Sequence, residues 1–311
     1  DYDFRFVRPI RWMVALFGDD VIPVEITGVK SGKLSRGHRF LRPALVEEAK
    51  AVESLDDAKE LLEKAVSAVK NTVTSAINKT AGVVEIPCAE AYEQVLMDNF
   101  VMVDQDARRE LIRQQVIDLA VEEGGHAEID EDLLEEVNYL VEWPTALCGK
   151  FEDKFLALPK ECIITPMREH QRYFPVLKED GSLLNKFITV RNGGKEHLEV
   201  VAHGNERVLR ARLADAEFFF NEDRKQPLEA RLAKLCTVSF QEGLGNMNDK
   251  SQRLVKAADM IAFGLNSKVD KEKLARTALL CKTDLVTGMV VEFTELQGVM
   301  GREYALLDGE A

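Results

Sequence analysis

Apolar residues fall at alternate positions on both sides of Asp19-Asp20 in "RWMVALFGDDVIPVEITGV" (residues 11–29), which predicts two strands joined by a turn. The Gly-rich basic segment "SGKLSRGHRFLRP" (31–43) follows and reads as a loop. From Ser54 to about Lys79 apolar residues recur at three and four behind a Ser/Asp cap, the pattern of a helix. "VVEIP" (83–87) reads as a strand, "CAEAYEQVLMDN" (88–99) as a helix and "FVMVD" (100–104) as a strand. A long helix, "QDARRELIRQQVIDLAVEE", is stopped by Gly124-Gly125, and "DEDLLEEVNYL" (130–140) predicts another. Residues 162–194 combine a helical piece, a strand, a "KEDGS" turn and a second strand. From about Asn205 onward helix signals dominate. Within them "ALLCKTDLVTGMVVEF" (278–293) reads as one buried helix with a lysine and an aspartate at its middle. The expected architecture is α+β: a mixed domain over residues 1–203, then an all-helical one over 204–311.

Composition adds little until charge is read by position. The 311 residues are 46% apolar and 31% charged, as in ordinary globular proteins, and the net charge is −13. Residues 1–42 carry 8 Lys/Arg against 5 Asp/Glu, and residues 164–213 carry 9 against 6. Residues 43–163 carry 11 against 27, so the acidity sits in a middle block flanked by two basic stretches able to face a phosphate backbone. Five scattered cysteines without a Cys-x-x-Cys argue against a zinc ribbon or a disulfide scaffold and fit reduced thiols in a cytosol. No run of 18 apolar residues predicts a membrane span. Asp1 is followed at once by strand-like sequence, so the chain is expected to be cut from a longer one.

"GVKSGK" (28–33) imitates a phosphate loop but is one residue short, with Leu34 where Ser or Thr would bind magnesium, and is read as a false match. In "GNERVLRARLADAEFFFNED", Arg207, Arg210 and Arg212 gather near one end of a helix and are candidate phosphate contacts. The alternative is a solvated face paired with Glu206, Asp215 or Glu217, while the Phe218–Phe220 run packs into a core. "MREHQRYFP" offers Arg168 and Arg172 beside aromatics suited to stacking on nucleotides, or a helix end with its aromatics turned inward. "SRGHRFL", with Arg36 and Arg39, carries the same alternatives. The HD type of metal phosphohydrolase needs histidines and aspartates around metal, yet the chain has no His-Asp dipeptide. Lys282 beside Asp284 would repel a cation, and reads instead as an ion pair or a phosphate contact.

Seven blocks carry a resemblance. They are "DFRFVRPIRWMVALFGDDVIP", "RGHRFL", "LVEWPTALCGKFEDKFLALPKE", "MREHQRYFPV", "GNERVLRARLADAEFFFNED", "CKTDLVTGMVVEFTELQGVMGREYA" and "DGE". In order, from the first residues to the last, they resemble the β subunit of bacterial heterotetrameric glycyl-tRNA synthetase. The resemblance implies a B3/B4-like α+β domain (1–203) and an HD-like helical domain (204–311), the latter truncated and with a degenerate metal site at Lys282 and Asp284. It implies that the α subunit holds the class II active site and uses ATP and Mg, and that this chain binds no cofactor or metal and supplies no catalytic residue. It further implies a cytoplasmic protein whose partners are the α subunit and tRNA(Gly), not membrane or DNA. The seven arginines above are then candidate tRNA contacts. Relative to the family, residues 43–82 look like an inserted acidic helical hairpin, expected on the side away from RNA. Two rivals remain: a metal-dependent HD-type phosphohydrolase, and an editing deacylase acting through the B3/B4-like domain. Glycine's small side chain weakens the need for the second, because larger residues are excluded sterically.

Overall fold

The structure, a computed structural model, describes residues 9–41 and 82–310. The helix expected over Ser54–Lys79 lies outside them, as does the insertion read at 43–82 apart from Gly82 itself. The chain forms two compact units. The first comprises Asp1–Asp118, Ile129–Leu147 and Val190–Glu196; the second comprises Leu119–Glu128, Cys148–Thr189 and His197–Ala311. No described helix is long and apolar enough to cross a membrane.

The first unit opens with short strands. β1 (Met13–Val14) pairs in parallel with β5 (Val29–Gly32), which pairs antiparallel with β4 (Glu25–Ile26). Between them β2 (Leu16–Phe17) and β3 (Asp20–Val21) form the expected hairpin. β6 (Leu34–Arg36) pairs with β7 (Val83–Glu85), so the basic segment read as loop carries strand. Its partner lies about fifty residues downstream, out of reach of local pattern. The same pairing removes the phosphate-loop likeness: Val29–Gly32 is β5, and Leu34 starts a strand rather than a helix.

Three helices complete this unit: α1 (Tyr92–Met97), α2 (Gln105–Glu122, whose last turn belongs to the second unit) and α3 (Glu131–Leu140). "FVMVD" is not a ladder strand. Met102 N–H donates to the Glu142 carbonyl at 2.9 Å, and its carbonyl accepts from the buried Arg108 guanidinium. Asp104 then starts α2, its Oδ1 accepting from the N–H groups of Asp106 and Ala107 at 2.8 and 3.0 Å. These bonds, Ala107's first, hold the Asp104 carboxyl below its ordinary range. A small core of Val84, Ile86 and Leu96 packs against Val14, Leu16 and Val103.

Two strands run through both segments of the chain, β9 (Pro144–Lys150) and β11 (Leu183–Asn192). With β8 (His126–Ala127) and β10 (Phe174–Leu177) they make a four-stranded sheet in the order β8-β10-β11-β9. In the second unit α4 (Lys160–Thr165) runs into a π-helical turn at Pro166–Gln171, and α5 spans Leu198–Asp223. The expected domain boundary at residues 203 and 204 therefore lies inside one continuous helix. A 3-10 segment (Leu228–Thr237) follows, and then a short hairpin of β12 (Ser239–Gln241) and β13 (Gly245–Asn246). Helices α6 (Met247–Gly264) and α7 (Lys271–Leu280) come next.

The stretch read as one helix over 278–293 is broken. α7 ends at Leu280, a 3-10 turn holds Thr283–Val286, and α8 (Gly288–Glu292) restarts at Thr287, whose hydroxyl accepts from Val290 N–H at 3.3 Å. α9 (Val299–Leu307) closes the unit. The Phe run does not enter the core as a block. Phe220 is buried, Phe219 is half-buried and Phe218 is 59% exposed, because consecutive helical residues point about 100° apart.

Two buried carboxylates hold these pieces. Asp223, 4% exposed, ends α5 and accepts from Gly288 N–H at 2.8 Å and Met289 N–H at 2.9 Å, the opening amides of α8. It also accepts from Tyr304 O–H of α9 at 3.0 Å and pairs with buried Arg231 at 3.4 Å. A side chain at 288 would press on Phe219, since an added Cβ would lie 2.8 Å from its Cδ1. Asp284 does the same for α9, accepting from Gly298 and Gly301 N–H. Around them pack Leu209, Leu213, Phe220, Met289, Phe293 and Met300.

Removing the Asp223 carboxylate orphans the buried Met289 N–H and the half-buried Gly288 N–H, and leaves the buried Arg231 guanidinium without its counter-charge, holding only the residue-223 carbonyl at 2.7 Å. Asp223→Ala is expected to cost about 3–5 kcal/mol of unfolding free energy. Tyr304→Phe removes one of several donors to that carboxylate and is expected to cost about 1–3 kcal/mol. Denaturant unfolding of the two variants checks the order.

Candidate functional site

Three arginines and one tryptophan of the first unit converge on one concavity. Arg11, Trp12, Arg36, Gly37, Arg39 and Gly82 line a cleft of about 560 Å³, with Glu142 as the carboxylate in its wall. The Arg36 guanidinium stands 5.2 Å over the Trp12 ring and the Arg39 guanidinium 5.4 Å over the Phe40 ring. Trp12 is 45% exposed and Phe40 75% exposed. Arg36 closes β6 and Arg39 lies in the turn after it, so strand pairing with β7 sets the direction of the loop. Cationic planes and one open aromatic ring, Trp12, in a hollow can take phosphate and stack an unpaired base.

The three arginines of α5 are not brought into one patch. At about 100° per residue, Arg207 and Arg210 lie about 60° apart, and Arg212 lies about 140° from Arg207. Arg210 pairs with Glu152 at 2.6 Å and Arg212 with Glu292 at 3.6 Å. The partners thus come from other elements, not from the same helix as expected. Glu206 accepts instead from Lys150 N–H at 3.0 Å, and Glu217 pairs with Lys154 at 2.8 Å. Arg207 is exposed.

In "MREHQRYFP" the aromatics are turned inward. Tyr173 is buried, stacks on Phe187 at 4.6 Å and donates its hydroxyl to Asn205 at 3.1 Å; Phe174 is buried in β10. Arg168 and Arg172 are half-buried, and Arg172, at φ 60°, donates to the Glu169 carbonyl. Stacking on nucleotides is therefore closed to Tyr173 and Phe174, because the sheet and α5 already use their faces.

Lys282 and Asp284 do not form the expected ion pair. Lys282 is half-buried, and Asp284 Oδ2 is taken by the two backbone N–H groups at the start of α9, donors already fixed in place. Burial pushes the Asp284 carboxyl above its ordinary range, against the pull of these two bonds. Among the described residues no three His, Cys, Asp or Glu side chains converge as a metal site. Burial also raises Cys148 and Cys162 to about 12, so neither thiol is an activated nucleophile.

The sequence reading named Arg36 and Arg39 but missed Arg11, Trp12 and the loop's anchor, His38. A histidine inside a basic loop, "RGHRF", was the available signal.

The chain matches the family described as Glycyl-tRNA synthetase beta subunit in two segments, residues 1–81 and 57–311. It is 48% identical over 99% of its length to the glycine–tRNA ligase beta subunit of Moorella thermoacetica. It is 46% identical over its full length to that of Desulforamulus reducens, and 43% identical over 99% to that of Bacillus subtilis. It spans 39–40% of the length of these relatives. The chain belongs to the glycyl-tRNA synthetase beta-subunit family.

The raised Asp284 carboxyl makes a pH prediction. A carboxyl raised on folding contributes stability below its unfolded pKa, and that contribution is lost as pH rises through the folded value. The difference in melting temperature between Asp284→Asn and wild type should therefore move in favour of the variant as pH rises from the ordinary carboxylate range. Thermal melts at a series of pH values check it.

Proposed function

We propose that this chain is a non-catalytic part of the β subunit of a heterotetrameric glycine–tRNA ligase, and that it holds tRNA(Gly) while the α subunit activates glycine with ATP and Mg. The observation that carries the reading is the cleft of Arg11, Trp12, Arg36 and Arg39. It concentrates three guanidinium groups in a chain of net charge −13. Phosphate binding needs such a local excess, and the open tryptophan adds a surface for an unstacked base. Arg207 and Arg210 offer a second contact. Arg210's ion pair is half-exposed and worth little, so a phosphate can replace its carboxylate. Arg212, on another face, and Arg168 and Arg172 are weaker candidates.

In this reading residues 1–203 are the B3/B4-like domain and residues 204–311 the HD-like domain, whose metal site has decayed to Lys282 and a helix-capping Asp284. A cytoplasmic location follows from the role. The phosphohydrolase alternative asks Asp284 to bind metal, yet among the described residues no two further His, Cys, Asp or Glu side chains converge with it as ligands. The editing alternative would place a hydrolytic site in the B3/B4-like domain, and a deacylation assay with mischarged tRNA separates it from binding alone.

The test uses the full-length β subunit assembled with the α subunit. Arg36→Gln/Arg39→Gln should weaken tRNA binding and flatten its salt dependence by about one for each phosphate no longer held. Glycine-dependent pyrophosphate exchange should be unchanged. Binding equal to wild type across the salt series would overturn the assignment of the cleft.

A further inference from the structure

Arg39 and Phe40 are exposed side chains on a turn, yet the residue before them is 1% exposed. His38 stands behind the cleft and is not among the residues that line it. Its two ring nitrogens are both committed. Nδ1 lies 3.2 Å from Phe40 N and 3.2 Å from Leu41 N, so it accepts from two backbone N–H groups of the turn that holds Arg39. Nε2 lies 3.1 Å from Asn192 Oδ1. That oxygen already accepts from Glu142 N–H and Trp143 N–H, each at 3.0 Å. It is an acceptor in all three bonds, so Nε2 carries the proton and Nδ1 the lone pair.

The consequences reach both walls of the cleft. Asn192 ties the Glu142-Trp143 segment, and His38 ties the Arg39–Leu41 turn, to the same oxygen. The backbone around His38 is fixed as well: its N–H donates to Asn99 carbonyl at 2.8 Å, and Gly37 N–H donates to Gly82 carbonyl at 3.1 Å. Glycine is needed at 37, because an added Cβ would lie 2.8 Å from Asn99 Cβ and 3.0 Å from its carbonyl oxygen. A long cationic side chain on a free loop loses rotamer and backbone freedom when it grips a phosphate. A side chain on a fixed turn has less to lose.

We propose that His38 is a positioning residue for RNA binding. As the Nε2–H tautomer it locks the Arg36–Leu41 loop against Asn192, so that Arg36 and Arg39 are held in place for the sugar–phosphate chain of an unpaired segment of tRNA. This rests on the reading of the cleft as an RNA contact. The two nitrogens have separable jobs. An asparagine at 38 supplies an acceptor where Nδ1 stands, and a glutamine supplies a donor where Nε2–H stands. The Nδ1 acceptor fixes the turn carrying Arg39, so it is the half that binding depends on.

The experiment measures tRNA affinity across a salt series in the full-length subunit assembled with its α partner, alongside thermal melts. His38→Ala should weaken binding about tenfold and lower the salt slope by about one, the signature of one phosphate no longer neutralised. His38→Asn should recover most of the affinity, and His38→Gln should not. Arg39→Gln should also weaken binding, and the double variant His38→Ala/Arg39→Gln should bind no worse than Arg39→Gln, because both changes release the same phosphate. Multiplicative losses in the double variant, or equal binding by the Asn and Gln variants, would overturn the positioning role. So would full affinity in His38→Ala against a weakened Arg39→Gln. Full affinity in both Arg39→Gln and Arg36→Gln would instead overturn the cleft reading itself. Should His38→Ala fail to fold, the Asn and Gln pair still decides the outcome.

Discussion

The second unit depends on one buried carboxylate. Asp223 sits at the last residue of a 26-residue helix, takes hydrogen bonds from α8 and α9, and pairs with Arg231 of the 3-10 segment that follows α5. Neither short helix it joins is long enough to stand alone; α8 has five residues and α9 nine. A fully solvated helix end would find water for its amides. At the start of α8, where Gly288 is half-buried and Met289 buried, a carboxylate supplies the acceptors instead. Asp284 repeats the device one element later. Both aspartates are thus committed to backbone, and burial raises the Tyr304 hydroxyl, with the Asp223 charge adding to it.

The arginines divide by the same question of what already holds them. Arg210 and Arg212 on α5 meet carboxylates from neighbouring elements, and Arg231 and Arg108 are buried against acceptors. Arg276 is clamped between Glu229 and Glu310. Arg36 and Arg39 lie over aromatic rings, around a hollow whose floor is a fixed loop.

The sequence by itself carried the α+β class, the long helix ended by Gly124-Gly125, the hairpin before Val21 and the family. These rest on local period, turn chemistry and ordered blocks of residues, all of which survive without knowledge of contacts. Tertiary structure decided the rest. Strand at Leu34–Arg36 needed a partner at Val83–Glu85, and the break in 278–293 needed Asp223 and Asp284 to receive the exposed amides. Tyr173 and Phe174 turned inward because β11 and α5 offered apolar faces, a choice the run "MREHQRYFP" leaves open. Arg11, Trp12 and His38 became parts of one cleft and its anchor only through pairing and a hydrogen bond to Asn192, 154 residues away. Side-chain roles of this kind are set by which groups folding brings together, and a linear pattern does not encode that meeting.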